Sequence, residues 1–388
     1  MNVTERFLKY VTFATASDED STTFPSTSGQ LVLADYLTEE LRMIGVADAE
    51  RDLNGYVYGH IPATPGFENE PVIGLIAHMD TSPDAPGENV NPKIVKYDGK
   101  NLPMIDDRYI GEDMIVSDGT TLLGADDKAG VAEIVSACER LINGEVKHGA
   151  VSICFTPDEE IGSGADRFDH KRFAADFAYT VDGGELGGIE YENFNAAAVR
   201  LNVYGLNTHP GSAKGKMRNA ALYLNEFISM LPDAETPAHT EGREGFYHVS
   251  YVNGTESKAE LHMIIRDHDR EKFEGRKLFV SRLAAYLNDK YGDGTFSLQI
   301  TDSYYNMREI IEKHMEIVER AKEAMLANGV EPVITAIRGG TDGARLSFEG
   351  LPCPDISTGG MNYHSIYEAI PVSALGKMTD IIVKIVEA

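Results

Sequence analysis

The chain has 388 residues, of which 35 are basic and 62 acidic, giving a net charge of −27, with 42% hydrophobic and 25% charged content. That balance argues against nucleic acid and anionic membrane as partners, because both demand a positive surface, and no apolar run approaches the ~18 residues of a membrane span. The length allows two domains and a large core, and the three well-separated cysteines, Cys138, Cys154 and Cys353, read as core thiols of a reducing compartment.

The N-terminus, Met1-Asn2-Val3-Thr4-Glu5-Arg6, has no basic region followed by an apolar one, so no signal peptide is expected and the location is read as cytoplasmic. Leu33, Leu37, Leu41 and Ile44 recur at helical spacing and predict a helix over about 29–44 with Ser28 as its cap. Val72 to Ala77 is a short apolar run that reads as a buried strand ending at His78-Met79-Asp80. Residues 84–119 carry several Pro, Gly and Asp residues and read as a long excursion with a short hairpin. Val131, Ile134, Val135, Cys138, Leu141 and Ile142 form one stripe, which predicts a helix directly after Asp126-Asp127. Two further strands, Val151–Phe155 and Phe177–Val181, end near Asp158-Glu159-Glu160 and at Asp182.

The pattern changes near Asn195. Strand (196–204), helix (217–231), strand (246–252), strand (259–265), helix (270–288) and strand (295–300) follow in turn, a βαββαβ order that suits an inserted α+β sandwich. The chain then returns to helix (307–328), strand (331–336), glycine-rich loops and a last helix (371–386). The expected fold is α/β: a mostly parallel sheet flanked by helices, built from 1–194 and 306–388, with a lid domain at 195–305.

In open α/β sheets, ligands bind beyond the carboxyl ends of the strands, so His78, Glu159, Glu160 and Asp182 are expected on one rim. His78 and Asp80 point the same way on extended chain. A metal-bound imidazole usually passes its other N–H to a carboxylate, so Asp80 is either that partner or a ligand itself. One Asp suffices to cap a helix, and the second member of Asp126-Asp127 adds repulsion unless a cation is present. Three successive acids at Asp158-Glu159-Glu160 are costly without a cation, and neighbouring glutamates can divide the work of ligand and general base. The glycines after Asp182 permit a sharp turn, and Gly359-Gly360-Met361-Asn362-Tyr363-His364 supplies a late histidine. A set of His, Asp, Glu, Asp and His without thiolate suits zinc or a similar metal. Three carboxylates and a bridging hydroxide balance two divalent ions, an arrangement that typically serves hydrolysis. Spacing alone does not choose between Asp126 and Asp127, or between Glu159 and Glu160. No His-Glu-x-x-His helix, Gly-x-Ser-x-Gly elbow or phosphate loop occurs.

Six stretches carry a family resemblance. They are His78-Met79-Asp80-Thr81-Ser82-Pro83-Asp84, Leu123 to Gly130, Phe155 to Glu160, Tyr179 to Gly184, His209-Pro210-Gly211 with Ala213-Lys214-Gly215, and Ile337 to Gly343. At these residues the chain resembles the peptidase T family of co-catalytic zinc metallopeptidases, relatives of carboxypeptidase G and acetylornithine deacetylase. The resemblance runs almost end to end, with a shorter stretch between Asp98 and Gly119. It implies two Zn2+ per chain, with Co2+ or Mn2+ as alternative occupants. Asp126 would bridge them; His78 and Asp182 would complete one site, Glu160 and His364 the other. Glu159 would be the general base, Asp80 would orient His78, and the Asp126-Asp127 bond would be cis. The lid turn Asn207-Thr208-His209-Pro210 would bring His209 to the scissile carbonyl. The implied reaction is removal of the N-terminal residue from tripeptides, with a dipeptidase or N-acyl amino-acid deacylase as the alternative and a catalytically dead binding module as a third reading. An enzyme that measures peptide length must sense both termini, and guanidinium groups match carboxylates, so Arg266 or Arg338 is expected to grip the peptide's C-terminus. Asn306 is a further candidate substrate contact. Small peptides are the expected partners, and a homodimer is left open.

Overall fold

The computed structural model describes residues 1–388. Its first compact unit comprises Met1–Tyr191, Met307–Thr335 and Thr341–Ala388, and its second Glu192–Asn306 and Ala336–Gly340. No helix is long and apolar enough to cross a membrane.

The first unit is organised by an eight-stranded sheet. In spatial order its strands are Glu50–Arg51, Val57–Ile61, Val151–Thr156, Ile73–His78, Phe177–Val181, Asp355–Ile356, Gly188–Asn193 and Val333–Ile337. The central strands are parallel, Ile73–His78 pairing with Val151–Thr156 on one side and Phe177–Val181 on the other. They are almost wholly buried, as expected for apolar strands covered on both faces. The register sets His78 opposite Thr156 and Ile76 opposite Thr180, so the three carboxyl ends finish level and their following loops share one rim. The sheet turns antiparallel where Val57–Ile61 meets Val151–Thr156 and where Asp355–Ile356 meets Gly188–Asn193.

The helix Ala125–Ile142 lies against the strand Ile73–His78 and buries Val131, Ile134, Val135, Cys138 and Leu141. The helix Val372–Val386 packs on it in turn. The N-terminal helix Val3–Tyr10, absent from the sequence reading, is held by a capping box between Asn2 and Glu5. The helix expected after residue 29 spans Ser28–Ile44, but Ser28 is not its cap. Thr27 takes the N-cap position without capping, because its hydroxyl donates to the Ala16 carbonyl instead. The helix expected over 307–328 is two, Arg308–Ile311 and Met315–Ala327. The hairpin expected within 84–119 pairs Lys93–Lys96 with Asp113–Val116, and Ala369–Pro371 adds a third strand.

The second unit is a four-stranded antiparallel sheet in the order Phe246–Gly254, Lys258–Asp267, Asn195–Tyr204, Phe296–Tyr304. Burial alternates along Lys258–Asp267, the pattern of a sheet with one covered face. Leu261, Met263 and Ile265 on that face pack with Leu224 and Phe227 of helix Ala220–Ser229, and with Phe273, Val280 and Leu287 of helix Arg270–Tyr291.

One close approach fixes how the helix Ala125–Ile142 meets the sheet. A Cβ at Gly130 would strike the Val181 carbonyl oxygen and lie 2.5 Å from Asp127 Oδ1. Only glycine lets the first turn of this helix sit on the end of the strand that leads to Asp182. Overpacking costs typically ~1–3 kcal/mol, and here the obstacle is rigid backbone. Gly130→Ala is expected to destabilise the protein by at least about that amount. An unchanged unfolding midpoint in denaturant would show that helix and strand are not in this contact.

Candidate metal centre

His78 closes the strand Ile73–His78 and is almost wholly buried. Its Nε2 lies 2.9 Å from Asp126 Oδ1 and 3.6 Å from Asp182 Oδ1. On the other side, His364 Nε2 lies 3.5 Å from Asp126 Oδ2 and 2.9 Å from Glu160 Oε2. Two ligand sets result, His78–Asp126–Asp182 and Asp126–Glu160–His364, each with its donor atoms within 4.8 Å of one another. Asp126 belongs to both and turns one oxygen toward each histidine.

The neighbouring Asp127 does something else. The Asp126-Asp127 bond is cis. Asp127 is fully buried; its Oδ2 accepts the His78 N–H at 3.0 Å and its Oδ1 accepts the Gly130 N–H at 3.2 Å. Its carboxylate is thus spent on main chain. Asp80 behaves similarly. Its oxygens accept the N–H groups of Glu159 and Glu160 at 3.0 and 3.1 Å, which fixes the backbone of the acidic pair. Asp80 Oδ1 is also 3.2 Å from His78 Nδ1, although outside hydrogen-bond geometry.

Asp158, the first of the three acids, adopts φ +56° and faces away from the others. Ser26 donates to it through N–H and hydroxyl at 2.7 and 2.5 Å, and Gln30 Nε2 donates at 2.7 Å. The start of the helix Ser28–Ile44 therefore anchors the loop that carries Glu159 and Glu160. After Asp182, Gly183 and Gly184 take φ +51° and +72°, the sharp turn their lack of Cβ permits.

The electrostatics are those of a site built around positive charge. Burial pushes Glu159 well above the usual carboxylate range, Glu160 to about 7, and Asp182 upward. Hydrogen bonds to Asp126 and Glu160 push His364 up to about 11. Burial opposes a charge on His78, but Asp182, Asp126 and Asp80 together raise its pKa well above the imidazole value. Burial also opposes ionisation of Asp126, yet the two histidines outweigh it and hold its carboxyl below the usual range. Protons thus gather where a divalent cation would otherwise supply the charge. Glu160 Oε1 is buried without a hydrogen-bond partner, a lone pair held ready. Two imidazoles, three carboxylates and no thiolate fit two borderline divalent ions. The buried Lys128 donates to the Phe13 carbonyl at 2.8 Å, and burial lowers its pKa to about 7 against the pull of Glu368 and Asp80.

A cavity of about 410 Å³ opens beside Asp182, lined by Arg108, Glu190, Val333, Thr335 and Ser357 among others. A larger one, about 540 Å³, lies by Pro71, Phe177 and Lys384, at the opposite ends of the strands, and holds none of these groups.

The remaining candidates lie in the second unit. His209 is exposed and caps the short turn Pro210–Ser212, its Nδ1 accepting the Gly211 N–H at 3.2 Å. Arg266 donates to the Arg338 carbonyl at 2.8 Å and leaves its buried Nε without a hydrogen-bond partner. The Arg338 guanidinium donates to the Gly242 carbonyl and to Thr240, over the rings of Phe194 and Phe246. Asn306 is buried; its Oδ1 accepts the Asn193 N–H and its Nδ2 donates to the His268 carbonyl, so both ends of its amide hold main chain. Sequence spacing had no signal for Ser26, Gln30 or Glu368. They lie outside the motifs and touch backbone or a non-ligand acid.

The profile of the peptidase dimerisation domain matches residues 191–295. Among solved structures, a tripeptidase from Staphylococcus aureus superposes with a TM-score of 0.81 at 21% identity, covering all of this chain and 97% of that one. An aminopeptidase PepT from Bacillus cereus gives 0.79 at 23% identity, covering 99% and 97%. The peptidase T of Caldanaerobacter subterraneus subsp. tengcongensis is 54% identical, across 99% of this chain and 98% of that protein. With identity at that level over essentially its whole length, this chain belongs to the peptidase T family.

Proposed function

We propose that this peptidase is a metal-dependent aminopeptidase that removes the N-terminal residue from tripeptides at a di-zinc centre. The observation that carries the reading is Asp126, whose two oxygens face two separate histidine–carboxylate pairs. In this reading His78 and Asp182 hold one ion, Glu160 and His364 the other, and Asp126 both. When bound, two such ions polarise the scissile carbonyl and acidify the attacking water.

The protein's own groups do the rest. Glu159 takes the proton from the attacking water and delivers it to the leaving amine. Burial raises its pKa above the usual carboxylate range, the direction that favours passing the proton on to the leaving amine. The bonds from Glu159 and Glu160 N–H to Asp80 fix the backbone that carries base and ligand. The cavity beside Asp182 has room for a substrate residue. His209 is assigned to the developing oxyanion, and of the two arginines Arg266, whose buried Nε has no hydrogen-bond partner, to the peptide's C-terminus. The names of the relatives support the substrate class, and the match to a peptidase dimerisation domain supports a homodimer. Three buried free thiols support a reducing, cytoplasmic location.

The test of substrate class is product analysis after incubation with di-, tri- and tetrapeptides of one composition. Free N-terminal residue should appear from the tripeptide alone, and efficient cleavage of the others would favour a general peptidase. Elemental analysis of protein reconstituted with Zn2+ should find two ions per chain; saturation at one would remove the two-ion reading. Glu159→Gln preserves shape but cannot accept the proton, so kcat should fall by ~10²–10⁴ while zinc content and KM hold. Loss of zinc from that variant would make Glu159 a ligand instead of the base.

A further inference from the structure

The loop that delivers Asp126 has an unusual problem. A helix start leaves up to four N–H groups without partners inside the helix, and the N-cap side chain normally takes one. Here the N-cap is Gly124, at φ +82°, with no side chain to offer, and Asp126 itself is non-helical at φ −86°, ψ 104°. The missing acceptor comes from far along the chain. Glu368 is almost fully buried; its Oε2 accepts the N–H groups of Leu123 and Gly124 at 2.8 and 2.7 Å, and its Oε1 accepts that of Asp126 at 3.0 Å. A carboxylate accepting amide N–H bonds away from water makes strong, directional contacts.

The same residue belongs to the loop that carries His364. Glu368 N–H donates to the Ser365 carbonyl at 3.2 Å, and Met361 and Ala369 exchange backbone bonds at 2.9 and 3.1 Å. Ala369–Pro371 then joins the sheet with Asp113–Val116. His364 needs such support: its side chain is 41% exposed and its backbone sits at φ +58°. Little packing holds it in place.

We propose that Glu368 is the positioning residue of the metal centre, clamping the main chain of Asp126 to the loop of His364 so that one side chain sets how the two ligand sets face each other. This rests on Asp126 as the ligand common to both sets. Glu368 spends both oxygens on main chain and has no part in the proton transfers. Its role requires two acceptor atoms. Glutamine offers one oxygen, which can satisfy Leu123 and Gly124, but it then presents an NH2 group to the Asp126 N–H. Aspartate keeps both oxygens and falls one methylene short.

The experiment titrates Co2+ into the metal-free full chain and into Glu368→Gln, by calorimetry and visible absorption, alongside melting of the metal-free proteins and steady-state kinetics on a tripeptide at saturating metal. Glu368→Gln should melt close to the parent yet bind Co2+ ~10–100-fold more weakly, the usual range for losing a group that orients ligands. Its kcat should fall while KM stays within about twofold, since the substrate contacts are untouched. Parental Co2+ affinity in the variant overturns the proposal, as does a lowered melting point with affinity intact, which would make Glu368 a helix cap only. Should Glu368→Gln not fold, the same titration on Glu368→Asp decides, and failure of both to fold counts against a positioning role. The Co2+ readout needs no substrate. A parent that binds Co2+ tightly but cleaves no tripeptide would sink the proposed function and leave this inference standing.

Discussion

Like charge at the ends of three parallel strands is the constraint on which the first unit depends. Asp80, Asp126, Asp127, Asp158, Glu159, Glu160 and Asp182 crowd one rim of a chain already far to the acidic side. At the effective dielectric near a protein surface, two such charges 4 Å apart repel by about 4 kcal/mol. The fold answers by dividing these acids, Glu159 apart, into two populations. Asp80, Asp127 and Asp158 bond to main-chain N–H groups, and Asp158 also to side-chain donors. Asp126, Glu160 and Asp182 turn inward to the histidines. Asp80 holds the Glu160 amide and Asp127 the His78 amide, whereas the Asp126 amide is held by Glu368 and that of Asp182 by the Ile356 carbonyl.

That division explains how much could be read in advance. Continuous apolar runs ending in acids located the strands, because a buried parallel strand has no other way to be written, and their carboxyl ends located the rim. The stripe from Val131 to Leu141 gave the helix behind it. What spacing could not do was separate Asp126 from Asp127. The distinction lies in which carboxylate meets an amide, and that depends on the strand end carrying His78, nearly fifty positions away. The helix start is hidden for a related reason: Ser28 already lies inside the helix, and Thr27, in the N-cap position, gives its hydroxyl to the distant Ala16 carbonyl.

The second unit was legible for a different reason. Its strands alternate, with one face on the core and one outside, and alternation is the clearest pattern a strand can show. Its polar candidates were less legible. Asn306 and Arg338 look like groups that meet a ligand when seen in sequence, yet in the structure they hold main chain: Asn306 ties Asn193 to His268, and Arg338 braces the loop from Thr240 to Gly242. A polar side chain in a loop is as well suited to fastening main chain as to binding a peptide.

The candidate donors come from distant parts of the chain: His78 precedes the second unit, whereas His364 and Glu368 follow it. A chain still emerging from the ribosome therefore holds the acids without the second histidine and without the residue that braces Asp126. A chain that stops short of His364 keeps the cluster of His78, Asp126 and Asp182 but has no imidazole beside Glu160.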